Sequence, residues 1–506
     1  MKKLNRLILY VLTISLGGLV IGIDTGIIAS VLSQKGFQAY MFPQGTKNVT
    51  SLVGAIVSMG AAGGAIGSLI SGFFLEKLGR RKTLWISTFF TIVGATLQTA
   101  ANGVALVIVG RTIAGIALGM LRPTIPVYIS EIAPASQRAR LMGIFGLLIA
   151  GGYVCAGWIG YACSFASGQV TWRLALAMQI PAAAVLMGLI LFVPESPRWL
   201  AQRERYEDMD RCMRRIYSEE DEDFFIRSGV EIRTQIQLEA IRRTTKTLGH
   251  ALIELFNSKN IKRTAVAIIV LQVGCISGAL AVQQYQSILY ASLGYTGQKA
   301  LLITACYSFM GILGQFINIL VISDKWPRVR TMWVGCLSLG VALSLLMAIS
   351  RFYGNGLNPS GSQAGVAFIF IYSALYAMFF NSTLHTIPPE YFPAHLRGYG
   401  LSVGDFFQGV SNIWLSQVTP YAFNAIRWKY YSVFIASVIL LAVFFKLFLK
   451  ETNQMTLERT AGLFGDETVY KSSIDKEAHI QYGVAEQIEI GNHATNKKNF
   501  TPILDS

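Results

Sequence analysis

Charged side chains are scarce in this sequence. Asp, Glu, Lys and Arg make up 14% of its 506 residues, whereas about 25% is usual for a soluble domain. Only six cysteines and five histidines occur, and neither type has the spacing of a disulfide framework or a metal-ligand set. No nucleotide-binding motif and no nucleophile with a partnering base is recognisable. These absences argue against a water-soluble protein, a metal or other cofactor, direct coupling to ATP, and enzymatic activity.

Long uncharged apolar runs are abundant instead, and 53% of the residues are hydrophobic. A helix needs about 20 apolar residues to cross a hydrocarbon core of about 30 Å. Twelve runs meet this requirement, at residues 7–31, 50–75, 83–102, 104–130, 141–166, 172–193, 263–292, 298–323, 331–350, 363–388, 399–419 and 429–448. They predict an all-α membrane protein with twelve transmembrane helices, embedded in a lipid bilayer.

The formal net charge of +15 is unevenly placed. Short loops on one side of the predicted helices carry thirteen Lys and Arg, and those on the other side carry seven. Because basic loops face the cytosol, both termini are expected there, and the basic composition is interpreted as a determinant of orientation rather than as a nucleic-acid surface. The sequon that begins at Asn48 then lies in an outside loop and is predicted to be glycosylated.

The sequence repeats itself. Glu131 and Arg138 recur as Glu390 and Arg397, each 259 residues later. The repeat predicts two six-helix halves related by a pseudo-two-fold axis, at residues 1–193 and 263–448. Between them, residues 194–262 form a polar segment expected to hold short cytosolic helices. The polar tail at residues 449–506 has no apolar periodicity, and we expect it to be cytosolic and mostly disordered.

The sequence contains a series of short motifs that occur, in the same order, at helix ends and loops of one transporter family. In chain order they are Gly22-Ile23-Asp24-Thr25-Gly26, Gly79-Arg80-Arg81, Gly110-Arg111, Pro126-x-Tyr128 with Glu131 to Arg138, Pro194-Glu195-Ser196-Pro197-Arg198, and Glu451-Thr452. Over residues 10–460 the chain resembles the sugar porter family of the major facilitator superfamily, as a divergent, fungal-like member. The resemblance implies the major facilitator fold and secondary transport by alternating access.

In that family, charged residues at the cytosolic helix ends form a latch that holds the two halves together. The matching residues here are Glu76, Arg80, Arg81, Glu131, Arg138, Glu195, Arg198, Asp324, Glu390, Arg397 and Glu451. Exposed ion pairs contribute only about 0–1 kcal/mol each, so the latched and released states can be close in energy. The alternative is that these charges only determine topology.

Ionisable residues within membrane spans are costly and usually have a function or a partner. Asp24 and Arg111 lie at a similar depth in the first and fourth predicted spans. The resemblance implies that Asp24 is the proton site of proton-coupled members, with Arg111 as its partner. A structural salt bridge in a facilitator is the alternative.

Most of the family's hexose-binding positions are replaced in this chain. The replacements are Gly146, Gly274, Cys275, Leu280, Ile312 and His385, and only the amide Gln408 is retained. Other polar residues occur nearby, and we predict that the solute is bound by Gln283, Gln284, Gln408, Asn381, His385, Asn412 and Arg122. A cavity walled by amides suits a polyhydroxylated solute, although some of these side chains could be satisfied by core packing instead.

Arg122 introduces a second interpretation of the substrate. It lies three helical turns after Arg111, so both should share one face of the fourth span. The solute could supply its counter-charge, in which case the substrate is a sugar acid or organic anion. The alternatives are that ordered water or a protein carboxylate such as Asp405 is its partner, or that the side chain reaches toward the cytosolic interface.

The sequence thus predicts a transporter of a small polar solute, a sugar or polyol, working as a proton symporter or a facilitator. A transporter of a sugar acid or organic anion and a non-transporting solute sensor are the alternatives. We expect the protein to function as a monomer. The sequence leaves open whether it resides in the plasma membrane or in a vacuolar or other endomembrane.

Overall fold

The computed structural model describes residues 6–43, 46, 48–217, 222–241, 248–286, 289–290, 294–295, 297–353 and 359–465. These residues form helices and their connections, without a β-strand. The predicted tail extends beyond them, so the expectation for residues 466–506 lies outside the described part. Within the tail's first residues the chain forms a short helix, Leu457–Leu463.

The first half contains six spans. They are span one, Arg6–Leu32; span two, Val49–Leu78; span three, Arg80–Thr99; span four, Val104–Ile132; span five, Arg138–Cys163; and span six, Val170–Ala177 continued by Gln179–Leu189. A short helix, Lys35–Met41, lies between spans one and two. Span six is interrupted after Ala177 because Pro181 has no N–H to donate to the carbonyl there.

The second half repeats this arrangement. Its spans are span seven, Ile261–Ile276 with Ala279–Gln284; span eight, Gln298–Ile317; span nine, Arg328–Tyr353; span ten, Pro359–Phe379 with Thr383–Tyr391; span eleven, Ala394–Ile426; and span twelve, Tyr431–Phe448. Span seven breaks at Gly278, whose φ of 89° is unfavourable for a residue with a Cβ atom. The prediction of twelve helices in two halves is confirmed.

The predicted span limits differ from the observed ones where polar residues extend a helix. Span eleven begins at Ala394 and ends at Ile426, well outside the predicted residues 399–419. Among the described residues, ten spans are apolar enough to cross a membrane by composition alone, and spans three and eleven fall short. Span three carries Ser and Thr side chains whose hydroxyls donate to carbonyls four residues earlier, as Thr83, Ser87 and Thr91 show. This pairing lets a more polar helix lie in the membrane.

Glycines bring spans two and four into direct backbone contact. A Cβ atom on Gly115 would lie 2.3 Å from the carbonyl oxygen of Gly60, and one on Gly119 would lie 2.1 Å from that of Gly64. Small residues four apart permit this close approach within lipid. The contact fixes span four, which carries Arg111 and Arg122, against span two.

The described residues of the segment between the halves, 194–217, 222–241 and 248–260, include the helices Pro197–Gln202, Tyr206–Ile216, Glu222–Ile241 and Leu248–Leu255. Ser196 caps the first of them by accepting a hydrogen bond from the Trp199 N–H. The Trp199 indole donates to the Glu76 carbonyl oxygen at 3.0 Å. These helices therefore pack against the end of the bundle where spans two and four end.

Candidate functional site

A polar cavity lies between the two halves. It consists of two adjoining spaces of about 80 and 150 Å³, which share Arg122, Tyr153, Gln283 and Ser308 as lining residues. We refer to both together as the central cavity. The structure places all seven residues of the predicted solute site on its wall: Arg122, Gln283, Gln284, Asn381, His385, Gln408 and Asn412. Their role in binding stays a prediction.

Backbone and side-chain partners orient the amides of this wall. Gln284 Nε2 donates to Asn412 Oδ1 at 3.2 Å, and Ser416 Oγ donates to Gln284 Oε1 at 3.0 Å. Gln408 Nε2 donates to the Leu271 carbonyl oxygen at 2.7 Å. Each amide has more hydrogen-bonding positions than these contacts use, so the remaining ones can serve solute hydroxyls.

Aromatic side chains form the other part of the wall. Phe145 packs edge-on against the half-buried His385, with ring centroids 5.5 Å apart. Tyr153, Tyr307 and Tyr376 also line the cavity, and the sequence analysis did not identify them. Tyr372 lines it too. Tyr372 and Tyr376 are four residues apart on span ten, and this spacing, which places both on one helix face, could have indicated these two tyrosines.

The buried amide Gln315 of span eight lies beside Gly146 of span five, the position at which the sugar porter family has a glutamine. A Cβ on Gly146 would lie 3.1 Å from the Gln315 side chain, which occupies the adjacent space. Gln315 Nε2 donates to the Gly143 carbonyl oxygen at 3.2 Å and to Ser382 Oγ at 3.1 Å. Asn381 Nδ2 donates to the Gly146 carbonyl oxygen at 2.8 Å. These contacts join span five of the first half to spans eight and ten of the second, and sequence reasoning missed Gln315 and Ser382.

Asp24 and Arg111 meet on the cavity wall. Arg111 Nη1 lies 3.0 Å from Asp24 Oδ2, and both side chains are buried. The other carboxylate oxygen of Asp24, Oδ1, has no hydrogen-bond partner among the described residues. The ion pair therefore uses one of the two carboxylate oxygens of Asp24.

At one end of the bundle, buried ion pairs connect the two halves. We call it the basic end; it is the end where spans one, three and five begin. Arg138 Nη1 lies 3.3 Å from Glu390 Oε1, and Arg397 Nη1 lies 3.6 Å from Glu131 Oε1. Arg80 Nη2 also contacts Glu131 Oε1, at 2.8 Å. The basic end is therefore closed in this structure.

Three other latch candidates, Arg80, Arg81 and Arg198, contact groups of the first half, and a fourth, Asp324, makes a contact between the halves. Arg80 lies 3.4 Å from Glu76, and Arg198 Nη1 donates to the Glu131 carbonyl oxygen at 2.5 Å. Arg81 Nη1 donates to the Val193 carbonyl oxygen at 3.4 Å. Asp324 Oδ1 accepts the Arg140 backbone N–H at 3.4 Å, which is a contact between the halves.

Glu195 and Glu451 cap helices, whereas the sequence suggested side-chain ion pairs for them. Glu195 Oε1 accepts the backbone N–H of Arg80 at 2.9 Å, at the start of span three. Glu451 Oε1 accepts the backbone N–H of Arg328 at 2.8 Å, at the start of span nine. A carboxylate is favourable at a helix N-terminus because it complements the helix dipole. Burial raises the pKa of Glu195, although these N–H donors act in the opposite direction.

At the opposite end of the bundle a wide vestibule leads to the central cavity. Its volume is about 900 Å³, and it is lined by Gln34, Lys35, Val49 and Tyr421 among others. Gln284 and Gln286 line both the vestibule and the central cavity. The exposed Asn48 precedes span two at this same end. The pathway is therefore wide at the vestibule and closed at the basic end.

Twelve helices in two halves around a polar cavity, with ion pairs across one end, define a transporter of the major facilitator superfamily. The chain belongs to the sugar transporter family, because residues 10–464 match the family described as "Sugar (and other) transporter". It is thus a multi-pass membrane protein and a secondary transporter rather than an enzyme.

Individual relatives support this membership at modest identity. The chain is 28% identical over 472 residues to the high-affinity glucose transporter of Kluyveromyces lactis, covering 89% of this chain and 84% of the relative. It is 28% identical over 482 residues to the quinate permease of Neurospora africana, covering 91% and 89%. A solved structure of the proton:xylose symporter XylE bound to 6-bromo-6-deoxy-D-glucose has the same fold, with a TM-score of 0.78, 24% identity, and coverage of 90% and 99%.

Proposed function

We propose that this protein moves a small polyhydroxylated solute across the membrane by alternating access, in symport with protons. The observation that carries the proposal is the central cavity, whose amide side chains come from the second half and whose tyrosines and charged residues come from both halves. Hydroxyl groups both donate and accept hydrogen bonds, so a wall of amides can satisfy several of them. The relatives are named for glucose and for quinate, both of which carry several hydroxyls.

Alternating access requires that the basic end opens when the vestibule closes. The Arg138–Glu390 and Arg397–Glu131 pairs, together with the contacts of Gln315, connect the halves between the cavity and the basic end. Rocking one half against the other breaks these contacts and exposes the charges to water, which stabilises them when separated. Because basic loops face the cytosol, the basic end is the cytosolic one, and the vestibule opens to the other side of the membrane.

Asp24 is the group that carries the coupled proton. Asp24 lines the central cavity, and its buried Oδ1 has no hydrogen-bond partner among the described residues. Protonation removes the charge of Asp24 and weakens its attraction for Arg111. The proton on Asp24 and the solute in the adjacent cavity can thus act on the same pair of helices, spans one and four.

The test is uptake by purified protein in proteoliposomes. Labelled glucose, xylose and inositol are supplied with and without an inward proton gradient, to wild type and to Asp24→Asn. We expect wild type to accumulate at least one of these solutes only with the gradient, while Asp24→Asn exchanges it without accumulation, because an amide keeps the geometry but carries no proton. Gradient-driven accumulation by Asp24→Asn at the wild-type level would contradict the role of Asp24. Absence of any saturable uptake or binding by wild type, both of these solutes and of the carboxylates glucuronate and quinate, would contradict the transport proposal itself.

A further inference from the structure

Two pairs of opposite charges face the central cavity, and they differ in how they are satisfied. Asp24 and Arg111 form an ion pair of 3.0 Å. Arg122 and Asp405 line the same cavity, but no carboxylate of the described residues lies within 4.0 Å of the Arg122 guanidinium. Among the described residues, Asp24 and Arg111 thus compensate each other, whereas Arg122 has no carboxylate in contact.

Arg122 keeps its charge at all physiological pH values, because the guanidinium cannot be deprotonated in proteins. It is partly exposed on the wall shared by both spaces of the central cavity. A charge at mid-membrane depth is costly unless a partner or water compensates it. Since no carboxylate of the described residues contacts this guanidinium, water or a ligand in the cavity can supply the direct contacts that compensate its charge.

Asp405 is not the counter-ion of Arg122 in the structure. It lies on span eleven, is 2% exposed, and both of its carboxylate oxygens lack a hydrogen-bond partner among the described residues. A carboxylate that served Arg122 would approach it in a bidentate contact of about 2.7–2.9 Å. The two side chains instead border a common space, which a ligand can enter.

The amides of the same wall describe the rest of the ligand. Asn412 and Gln284 bind each other and leave hydrogen-bonding positions toward the cavity, and Gln283 borders both of its spaces. An anionic group and several hydroxyls are thus accommodated within one site. An arginine guanidinium can donate two parallel hydrogen bonds to a carboxylate, whereas a lysine ammonium lacks this planar, forked geometry.

We propose that the solute is a polyhydroxylated carboxylate, whose carboxylate binds Arg122 and whose hydroxyls bind the surrounding amides. This inference rests on the transport function proposed above and narrows its substrate class. Asp405 places a second acid beside the bound anion, and its negative charge, when present, opposes binding. Discrimination between neutral and anionic solutes then depends on Arg122, with Asp405 as the opposing group.

The experiment compares glucose with glucuronate, which differ by the replacement of a hydroxymethyl group with a carboxylate. Quinate serves as a cyclic carboxylate of different shape. Affinity is measured by competition of labelled-solute uptake in proteoliposomes and by thermal stabilisation of the purified protein. The variants are Arg122→Gln, Arg122→Lys and Asp405→Asn, each first shown to be monodisperse by size-exclusion chromatography.

Loss of one hydrogen bond to a charged group weakens binding by about tenfold to a hundredfold. We therefore expect Arg122→Gln to lower the ratio of glucuronate to glucose affinity by about tenfold to a hundredfold, with Arg122→Lys between the two. Asp405→Asn should raise glucuronate affinity, by about twofold to tenfold, since it removes an opposing charge. The Lys variant keeps the cation, so it separates loss of charge from loss of folding.

Three results would overturn this proposal and leave the transport function in place. If wild type transports glucose but binds neither glucuronate nor quinate, the substrate class is wrong while the transport function stands. If the affinity ratio is unchanged in Arg122→Gln, Arg122 does not recognise the anion. If Asp405→Asn lowers carboxylate affinity or destabilises the protein as much as Arg122→Gln does, Arg122 and Asp405 are counter-ions of one another. Failure of wild type to bind either class removes the transport proposal together with this one.

Discussion

Arg138 of span five and Glu390 of span ten form a buried ion pair between the two halves, with 3.3 Å between Nη1 and Oε1. Arg397 and Glu131 form the reciprocal pair at 3.6 Å. Each residue of one pair lies 259 positions from its counterpart in the other. At the basic end, each half thus supplies the arginine of one ion pair and the glutamate of the other, as expected for two halves related by a pseudo-two-fold axis.

Glu390→Gln should therefore open the basic end. Removing one partner of a buried ion pair costs about 3–5 kcal/mol where the remaining charge stays buried, but Arg138 becomes hydrated once the halves separate. Spin labels at the exposed positions Gln137 and Lys325, in the first and second halves, report the separation by electron-electron resonance. We expect longer distances in the variant than in wild type.

The charge-swapped double variant, Arg138→Glu with Glu390→Arg, is the matched control for that experiment. It restores opposite charges at the same positions, so its distances should return toward those of wild type. Identical distance distributions in wild type and in Glu390→Gln would show that the pair does not hold the basic end closed.

The fold could be predicted from the sequence because its determinants are local. A run of about 20 apolar residues specifies a membrane-spanning helix whatever its neighbours are, and the 259-residue repeat specifies two halves. Span ends were less accurate, as at Ala394 and Ile426 of span eleven, because a helix continues past the apolar run wherever its polar residues find partners or water.

The cavity wall could be predicted in part. Arg122, Gln283 and Asn412 were identified because polar residues are rare in apolar spans, and a rare polar residue usually faces a cavity or a partner. Gln315 was missed because its partners, the Gly143 carbonyl oxygen and Ser382 Oγ, are known only once spans five, eight and ten are packed. Glu195 was assigned an ion pair because a sequence displays side-chain charges but does not display free backbone N–H groups at a helix start.

A side chain at Gly119 should destabilise the protein, because spans two and four are in backbone contact there. Gly119→Ala places a Cβ atom 2.1 Å from the carbonyl oxygen of Gly64, and backbone cannot move aside as a flexible side chain can. Overpacking of this kind costs about 1–3 kcal/mol, so we expect a lower unfolding temperature in detergent, measured by fluorescence-detected size-exclusion chromatography.

Gly188 on span six provides the control for Gly119. It is helical, and a Cβ atom there would meet nothing within 4 Å. Gly188→Ala should leave the unfolding temperature unchanged or raise it, since alanine favours a helix by up to about 1 kcal/mol over glycine. An equal fall in unfolding temperature in both variants would show that any glycine-to-alanine substitution in a span destabilises the protein, whether or not the glycine lies at a helix contact.

Cys212, in the segment between the halves, should resist alkylation. Burial raises its pKa to about 12, the nearby Glu195 acts in the same direction, and Arg215 opposes them. The thiol donates to the Glu195 carbonyl oxygen at 2.8 Å. At pH 8 roughly a quarter of an ordinary thiol of pKa about 8.5 is ionised, but only about one in ten thousand Cys212 thiols is.

Labelling of the Cys212 peptide by N-ethylmaleimide, followed by mass spectrometry, measures this difference. We expect a rate roughly a thousandfold below that of the detergent-denatured protein at pH 8, because the thiolate is the reactive form. The rate should continue to rise about tenfold per pH unit above pH 9, where an ordinary thiol reaches its plateau. A plateau near pH 9 in the folded protein would be inconsistent with the raised pKa.

The orientation of the protein can be tested at Asn48. This residue is exposed at the vestibule end, ahead of span two, and heads the sequon Asn48-Val49-Thr50. If the basic end is cytosolic, Asn48 faces the lumen during synthesis and becomes glycosylated in a eukaryotic host. Asn48→Gln and Thr50→Ala should each abolish the same mass shift on endoglycosidase treatment.

A second sequon in the same chain supplies the internal control. Asn381 heads Asn381-Ser382-Thr383 but lies within span ten, where its amide donates to the Gly146 carbonyl oxygen. An oligosaccharide cannot be attached there without disrupting the contact between the halves, so Asn381→Gln should not alter the mass shift. A shift that persists in Asn48→Gln would place the glycan elsewhere. The absence of any shift in wild type, produced in a host that glycosylates a reference glycoprotein, would mean that Asn48 is not used. Glycosylation of a sequon introduced at the exposed Lys325, on the basic end, would reverse the proposed orientation.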